Sequence, residues 1–501
     1  MQLKKEGAIS QTFFDKVRPS GSQPARLYGF PKIHKPNHPL RPICSSIGSY
    51  NYRLASALAK SLSPFTSNVY SIKNTFDFAR EIQNLDSKST HLASFDVSSL
   101  FTNIPLRETI DIAIDYAYKN NQTIEGLSKL QFKKLLTIAT SETNFIFNEQ
   151  VYDQIDGVAM GSPLAPILAN IFMRSFEEKA INNYEGELPT YYRRYVDDCF
   201  LIFRQTAHCD AFFNYMNSLH VNIKFTKDEE SSEIDYFPFL DIKIMKGNDC
   251  FHTSTYYKAT HTGVYTNWHS FTPRKYKINL IKTLLHRALN ICSDHDRFHQ
   301  DAAVIKSNLL KNNFPPALLD AVIKNFTEKK LNNNQEIEKE TVTSVPKLQL
   351  FLKLPYLGDS SKSFERTITS FVQTAFNQVE LKVVFSTTTR ISDLFRVKDF
   401  IPKRLKSSVV YGIYCTNCSG FYVGKTKRHL KKRFDEHRDV RKLTAVSTHM
   451  ISTNHDIDFN NVKVLANGNT DTELLIKESL IIKQLKPSLN ANVCSFPLEM
   501  F

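Results

Sequence analysis

Three aspartates in two segments of the sequence could together hold divalent metal ions. Asp96 ends the short apolar segment HLASFD (residues 91–96), and Asp197 and Asp198 lie between the apolar runs of YYRRYVDDCFLIF (residues 191–203). The second pattern predicts a β-hairpin with the Asp pair at its tight turn, although aspartate is also common in ordinary turns. Two such cations about 3.5–4 Å apart can activate a 3′-hydroxyl and hold a triphosphate, and hard cations prefer carboxylate oxygens. The three aspartates therefore suit nucleotidyl transfer.

These segments resemble the palm of reverse transcriptases. Asp96 matches the first catalytic carboxylate, and YVDD at 195–198 matches the second catalytic motif. MGSP, which begins at Met160 and Gly161, matches the nucleotide-pocket motif between them. The resemblance implies that the three aspartates are catalytic and bind Mg²⁺ or Mn²⁺, and that Met160 and Gly161 bind the incoming nucleotide.

Three more nucleotide-binding residues follow from the same resemblance. Phe101 occupies the position of an aromatic residue that excludes ribose 2′-hydroxyls, although without the resemblance a core phenylalanine is the simpler interpretation. The segment RLYGFPKIHKPNHPLRPI (residues 26–43) is similar to the fingers segment that clamps the triphosphate, and Lys32 and Arg41 match its basic positions. Phosphate recognition favours such cations, Arg as a planar fork and Lys as a point charge.

A second candidate site lies in VVYGIYCTNCSGFYVG (residues 409–424). We interpret this segment as an antiparallel hairpin with Cys415 opposite Cys418. In that register Tyr411 lies opposite Tyr422, and directly opposed residues share a face of a sheet. The hypothesis therefore favours these two tyrosines over the tyrosine of the visible GIY, which would project from the other face.

The chain beyond this hairpin contains further polar residues at helical spacing. KTKRHLKKRFDEHR predicts a basic helix on which Arg433 and His437, four residues apart, share a face. Glu478 lies within the apolar-periodic segment ELLIKESLIIKQLK, and Asn490 follows Pro487. Taken singly, such a Glu or Asn is more often a surface residue than a functional one.

Together these residues resemble the active site of a GIY-YIG endonuclease. The resemblance implies that Glu478 binds a Mg²⁺ or Mn²⁺ ion and that Arg433 stabilises the pentavalent phosphate. It places Tyr411, Tyr422 and His437 at the remaining active-site positions and Asn490 at that of a structural asparagine. If a tyrosine acts as a base, the metal or Arg433 must lower its pKa from about 10.

The cysteines of the hairpin could also bind zinc. Cys415 and Cys418 have ligand-like spacing, and His449 and His455 in STHMISTNH complete a Cys₂His₂ set suited to tetrahedral zinc. Penelope-like nucleases carry a similar set, which favours zinc. The alternative is two free thiols and two surface histidines.

Composition and charge favour a nucleic-acid-binding protein. The chain has 501 residues and a net charge of +14. Residues 1–60 hold 10 Lys or Arg against 2 Asp or Glu, and residues 401–450 hold 12 against 3. Two separated basic zones indicate two polyanion-binding surfaces, although solvated surface helices would also produce them. No apolar run approaches the roughly 20 residues of a membrane span, so we expect no membrane partner.

The patterns predict an α+β multidomain chain, and the resemblances imply a right-hand polymerase followed by a small α/β GIY-YIG domain. We place the reverse transcriptase fingers and palm at residues 1–250 and a helical thumb at 251–330. A linker and a connector of uncertain structure follow at 331–408. The nuclease, with its zinc knuckle, occupies 409–495.

The combined motifs resemble Penelope-like retroelement proteins along most of the chain. The resemblance implies an RNA-directed DNA polymerase with a DNA-nicking endonuclease, acting on template RNA, primer or target DNA and dNTPs. Nuclear residence follows from these substrates, with a cytoplasmic stage before import. Family members usually carry a substantial segment before the fingers, and the sequence leaves open whether this copy is truncated. An inactive relic that only binds nucleic acid, and a nuclease with a non-catalytic palm, are the alternatives.

Overall fold

The computed structural model describes most of the chain, namely residues 2–19, 21–33, 35–119, 124–141, 143–332, 348–386, 394–395 and 398–491. The polar stretch predicted as a linker falls mostly on residues 333–347, outside the described residues. The last four residues of the predicted nuclease range also lie outside them. None of the described helices is long and apolar enough to cross a membrane.

The helices and strands follow one another in three groups. The first group comprises α1 (Gln2–Lys5), α2 (Gln11–Val17), β1 (Ala25–Pro31), β2 (Leu40–Ser45), α3 (Tyr52–Leu62), α4 (Thr75–Gln83), β3 (His91–Val97), α5 (Leu100–Asn103), α6 (Leu106–Ala117), α7 (Lys129–Thr140), β4 (Asn144–Phe147), β5 (Gln150–Asp153) and α8 (Ala165–Asn183). The second comprises β6 (Tyr191–Tyr195), β7 (Asp198–Phe203), α9 (Thr206–Ser218), β8 (Phe225–Glu229), β9 (Phe237–Phe239), β10 (Ile242–Lys246), β11 (Phe251–Thr255), α10 (Arg274–Ile291), α11 (His295–Lys311) and α12 (Pro316–Asn332). The third comprises β12 (Leu348–Pro355), α13 (Asp359–Ala375), β13 (Val379–Ser386), β14 (Val409–Tyr414), β15 (Phe421–Thr426), α14 (Leu430–Arg438), α15 (Ala445–Thr453), β16 (Lys463–Asn467) and α16 (Asp471–Leu485).

A four-stranded antiparallel sheet in the order β6-β7-β3-β8 lies at the centre of the expected palm. Alternate residues of β3 and β7 point to opposite faces, and both faces are buried. Phe95 and Leu201 pack with helices α6, α8 and α9 in the largest core. Leu92 and Phe200 pack on the other face with α4 and the β11-β10-β9 sheet. Burial on both faces explains why these strands are almost continuously apolar.

The expected fingers form a separate sheet in the order β2-β1-β4-β5. β1 and β2 pair antiparallel from Arg26 opposite Ser45 to Pro31 opposite Leu40, so the intervening basic residues lie at a hairpin end. The expected thumb consists of α10, α11 and α12, which share a core of their own around Ile281.

Part of the predicted connector has a defined fold. β12 and β13 pair in parallel over their whole length, from Leu348 opposite Val379 to Pro355 opposite Ser386. α13 supplies the crossover that a parallel pair needs, and Tyr356 contributes to the small core. The sequence patterns left the structure of this connector open and did not predict this βαβ unit.

The C-terminal region is a three-stranded antiparallel sheet in the order β15-β14-β16. On one face Val409 and Tyr411 pack with residues of α14 and α15. On the other face Val410 and Val423 pack with Leu474 and Ile482 of α16.

Candidate active sites and their relatives

The palm aspartates lie together because β3 and β7 are adjacent antiparallel strands. Asp96 on β3 is directly opposite Asp198, the first residue of β7. Asp197 occupies the two-residue turn before it, and its carbonyl oxygen accepts a hydrogen bond from the backbone N–H of Val97 at 3.1 Å. Val196, the other turn residue, has a φ of 57°, as a tight hairpin turn requires.

A buried ion pair stabilises the backbone of this turn. Arg194, 1% exposed, donates from Nε to Oε1 of Glu177 at 2.6 Å, and the Glu177 side chain is fully buried. Nη1 of Arg194 also donates to the carbonyl oxygen of Val196 at 3.0 Å and to Asn170. Removing one partner of such a pair would leave an uncompensated buried charge. Arg194 therefore fixes the backbone that carries Asp197.

Burial, together with repulsion between the carboxylates, raises the pKa values of Asp198 and Asp96. Burial raises the pKa of Asp198 to about 6, and repulsion by Asp197 and Asp96 adds to the effect, while Lys258 opposes it. Burial and Asp197 likewise raise the pKa of Asp96. Convergent carboxylates that repel one another form a donor set suited to divalent cations. The site therefore fits the Mg²⁺ or Mn²⁺ ions expected from the sequence.

The basic residues of the fingers hairpin face this charge. Burial and Asp197 raise the pKa of Asp96, and the positive charges of Lys35 and Lys32 partly offset that rise. Sequence reasoning selected Lys32 and missed Lys35, although both lie in PKIHKP. Arg41, opposite Phe30 on the hairpin, is exposed. Sequence reasoning also missed Lys258, whose charge opposes the rise in the pKa of Asp198.

The predicted pocket residues lie between the fingers and palm. The carbonyl oxygen of Met160 accepts a hydrogen bond from the N–H of Cys44 at 2.9 Å. Gly161 has a φ of 126°, and a Cβ there would collide with the carbonyl oxygen of Cys44. Phe101 is partly buried against the palm core, and its carbonyl oxygen accepts from Val158 at 2.7 Å.

The hairpin of the second site has a different register from the predicted one. Tyr411 is opposite Gly424, Ile413 is opposite Tyr422, and the N–H of Cys415 donates to the carbonyl oxygen of Gly420 at 2.9 Å. The prediction that Tyr411 lies opposite Tyr422 is therefore wrong. A four-residue tip replaces the assumed two-residue turn, so the register moves by two residues. Because a strand repeats every two residues, both tyrosines still share a face, with ring centroids 6.4 Å apart.

A hydrogen-bonded network centres on the buried phenol of Tyr411. Arg433 Nε donates to the phenol oxygen at 3.0 Å, and His437 Nε2 lies 2.9 Å from it. Burial and Arg433 lower the pKa of His437 to about 4, so the imidazole is neutral near pH 7. Its Nδ1 lies 3.0 Å from Thr444 Oγ1. Because the Arg433 N–H occupies one lone pair of the phenol oxygen, the phenol O–H is free to donate its hydrogen bond to His437 Nε2.

Glu478 and Tyr422 complete this cluster. Burial raises the pKa of Tyr411 above its ordinary value, Arg433 opposes the rise, and the Tyr422 and Glu478 side chains add to it. Burial also raises the pKa of Tyr422, again with Arg433 and Glu478 acting in opposite directions. Glu478, on α16, is 7% exposed. A carboxylate close to two phenols and a guanidinium suits a single divalent cation.

Two further residues shape the site. Asn490 donates from Nδ2 to the Val423 carbonyl oxygen at 2.8 Å and accepts from its N–H at 2.9 Å, which ties the chain after α16 to β15. Sequence reasoning missed Gly424, where a Cβ would lie 2.6 Å from Tyr422 Cε1 and 3.0 Å from the Tyr411 hydroxyl. The glycine of YVG was the available signal.

The four predicted zinc ligands form one cluster. Their ligand atoms all lie within 4.8 Å of one another. Cys415 Sγ is 3.6 Å from His455 Nδ1 and 3.4 Å from His449 Nε2, and Cys418 Sγ is 3.7 Å from His449 Nε2. Tetrahedral zinc, with bonds of about 2.3 Å to sulfur and 2.0 Å to nitrogen, places such atoms about 3.5 Å apart. The donor set therefore fits zinc.

Three family profiles match successive parts of the chain. The profile described as reverse transcriptase (RNA-dependent DNA polymerase) matches residues 33–240. An animal helix-turn-helix domain matches 264–324, and the GIY-YIG catalytic domain matches 407–491. No curated protein matches the chain.

Solved structures with detectable similarity include telomerases. An apo telomerase from Candida tropicalis, truncated from its C-terminal domain, is 14% identical over 48% of this chain and 59% of that chain, with a TM-score of 0.35. Telomerase from Candida albicans with a fragment of telomeric RNA is 13% identical over 65% and 58%, with a TM-score of 0.42. The chain thus spans about three-fifths of these telomerases.

The profile matches and the mixed helix-and-sheet architecture confirm the predicted fold class. The exact domain bounds and the role of each site residue stay predictions. The chain joins a reverse transcriptase domain, an animal helix-turn-helix domain and a C-terminal GIY-YIG domain, and this combination fits a Penelope-like reverse transcriptase–endonuclease.

Proposed function

We propose that the chain copies retroelement RNA into DNA, using as primer a 3′-hydroxyl that its own nuclease releases in host DNA. The observation that carries the proposal is the pairing of Asp96 with Asp198 across β3 and β7, in a chain that also holds the Tyr411 network. A nick supplies a primer, and a polymerase consumes one. Template RNA, target DNA and dNTPs are the proposed partners, and the nucleus is the proposed site of action.

The polymerase site would hold two Mg²⁺ or Mn²⁺ ions on Asp96, Asp197 and Asp198. Bound there, the ions supply Lewis acidity to the attacking hydroxyl and to the leaving pyrophosphate. Lys32 and Lys35 would neutralise the triphosphate, since both already act on Asp96. The nucleotide pocket would be completed by Phe101, Met160, Gly161 and Arg41. Hydrogen bonds or tight packing fix the backbones of the first three residues.

The nuclease site would bind one divalent ion at Glu478, which supplies Lewis acidity to the scissile phosphate. Arg433 would stabilise the negative charge that develops on that phosphate. Tyr411 would orient the attacking water, and neutral His437 would accept the phenol hydrogen bond through its 2.9 Å contact. Tyr422 would close the same face of the sheet, and Asn490 would act as a positioning residue.

Zinc would tie the hairpin tip to the segment after α15. Hydrogen bonds already join these parts, since Thr416 N–H donates to the Asp456 carbonyl oxygen at 3.0 Å and the Asp456 N–H donates to Asn417 at 2.8 Å. Backbone N–H groups also donate to both thiol sulfurs, Asn417 to Cys415 and Gly420 to Cys418. Such donors stabilise thiolate ligands.

Primer extension on an RNA template tests the polymerase. The wild-type protein should extend a DNA primer, and Asp197→Ala/Asp198→Ala should lower the rate by roughly 10³-fold or more, since several kcal/mol of charge stabilisation are lost. Asp235→Ala, which removes an exposed aspartate, is the matched control. Equal extension by the wild-type and double-variant proteins would refute the palm assignment.

Nicking of supercoiled DNA tests the nuclease on the same preparation. Glu478→Gln and Arg433→Ala should each lower nicking by about 10²–10³-fold. Nicking without extension would favour a nuclease whose palm is not catalytic. DNA and RNA binding without either reaction would favour an inactive relic.

Zinc content gives a test independent of both activities. Elemental analysis of the purified full chain should find about one zinc per molecule, and Cys415→Ser/Cys418→Ser should lose it. Cys250→Ser, which changes a half-buried cysteine outside the cluster, should retain it. Equal zinc in all three proteins would contradict the assignment.

A further inference from the structure

A cavity of about 460 Å³ lies where the fingers, the segment before the nuclease and the nuclease meet. Arg26 of β1 lines one side, Lys398 and Phe400 line a second, and Lys406 with Asn467 of β16 line the third. The volume lies within the range of roughly 300–1,000 Å³ that is typical of ligand sites. None of these residues has a place in the two active sites.

Among the charged residues that line this interdomain cavity, cations predominate. Arg26, Lys398 and Lys406 stand against a single acid, Asp399. Lys398 Nζ donates to Ser45 Oγ at 3.2 Å, so its ammonium is held on the fingers sheet. Burial and the charge of Arg26 lower the pKa of Lys398. Cations that repel one another in a partly buried space would be stabilised by a bound anion.

Aromatic side chains accompany these cations. Phe395 and Phe400 are 67% and 66% exposed, although both border the cavity. Within the described part of the chain, the buried Oδ2 atom of Asp399 accepts no hydrogen bond. Cations for phosphates and aromatic faces for stacking are the elements of a single-strand site.

The walls of the cavity are held together by direct contacts. Ser407 Oγ donates to the carbonyl oxygen of Ser22 at 2.6 Å, and His429 Nε2 lies 3.0 Å from the same oxygen. Gly21 approaches the nuclease so closely that a Cβ would lie 2.7 Å from the Lys427 carbonyl oxygen. The cavity therefore belongs to the docked arrangement of fingers and nuclease and to neither part alone.

We propose that this cavity binds a single-stranded nucleic-acid segment. Phosphates lie on Arg26, Lys398 and Lys406, and a base stacks on Phe395 or Phe400. The inference rests on the proposed function for its purpose, because a strand held here lies between the part that nicks and the part that extends. Binding itself requires neither reaction.

Fluorescence anisotropy with labelled dT20 and rU20 tests this site, using the full chain without added magnesium. Each phosphate contact to a single strand contributes about 0.7 to the slope of log affinity against log salt concentration. Lys398→Ala/Lys406→Ala removes two such contacts and should therefore reduce the steepness of that slope by about 1.4. Phe400→Ala should weaken binding about tenfold with an unchanged slope. Lys179→Ala, which removes an exposed cation of α8, should match the wild type.

A benzophenone amino acid in place of Phe400 provides a second measurement, because it should cross-link to labelled dT20 or rU20 on irradiation. Preference for one oligonucleotide identifies the strand, and either supports the proposal. Wild-type affinity and slope in both cavity variants, or cross-linking to free dTTP alone, would overturn it. If the full chain neither extends a primer nor nicks DNA, but still binds dT20 through Lys398, the proposed function is refuted and the proposed binding site stands.

Discussion

Among single residues, the palm aspartates show how function opposes stability. Asp198 is partly buried beside Asp197 and Asp96, and its pKa rises to about 6. Because the folded pKa lies above the ordinary value near 4, the charged form is disfavoured in the fold. The repulsion is present above pH 6 and disappears below about pH 4. A bound divalent cation would remove it.

Asp198→Asn should therefore stabilise the metal-free protein while abolishing extension. At pH 7.5 we expect the free energy of unfolding to rise by about 1–2 kcal/mol, less than the full shift implies because the carboxylate is partly solvated. The gain should vanish as the pH falls from 6 to 4. Denaturant titration measures it, with Asp235→Asn as control. An unchanged stability at pH 7.5 would contradict the predicted repulsion.

His437 provides the opposite case. Its pKa is lowered to about 4 by burial and by Arg433, so protonation opposes folding and stability should fall between about pH 6.5 and pH 4. In ¹⁵N-imidazole NMR spectra, the His437 signals should titrate near pH 4. The His437 signals are identified as those missing from the spectrum of the His437→Gln variant. A midpoint above about 7 would show that the imidazole is charged near neutrality and cannot accept the Tyr411 hydrogen bond.

Among elements, the β14–β15 hairpin determines which side chains meet. The tip of four residues, from Thr416 to Ser419, sets the register and presents the two cysteines to His449 and His455. Only glycine fits opposite Tyr411, because both tyrosine hydroxyls approach Gly424 within 3.0 Å of a Cβ position. The glycine thus leaves space for both rings on this face.

Gly424→Ala should impair nicking without unfolding the domain. The added methyl group must displace one tyrosine ring, and a displacement of about 1 Å can lower the rate by about 10²-fold. Gly412→Ala is the matched control on the paired strand, since a Cβ there makes ordinary contacts of 3.4–3.5 Å. Nicking assays with thermal melts measure both effects. Equal nicking by the two variants would contradict the assigned packing.

For the whole molecule, the arrangement depends on a small contact between distant parts of the chain. Ser22, before the fingers sheet, contacts Ser407 and His429 at the base of the nuclease. Gly21 has a φ of 75° and lies against the backbone of Lys427. This contact closes one side of the interdomain cavity and links the two proposed activities.

Gly21→Ala should loosen the nuclease from the fingers. Gly7→Ala is an exact backbone match, because Gly7 has a φ of 71° and open space around its Cβ position. Both variants incur about 1 kcal/mol of backbone strain, but only Gly21→Ala should separate the nuclease transition in calorimetry. It should also increase proteolysis near residue 395. Identical traces for both variants would show that the contact does not hold the domains together.

The sequence determined the chemistry of this protein and the elements that carry it. The apolar strands around Asp96 and the Asp pair, the Cys₂His₂ set and the helix bearing Glu478 were all predictable, because local periodicity and donor chemistry are properties of neighbouring residues. The tertiary structure decided the rest. The hairpin register, Lys35 and Lys258 near the aspartates, the βαβ unit and the interdomain cavity all depend on contacts between residues far apart in the chain, which no local pattern encodes.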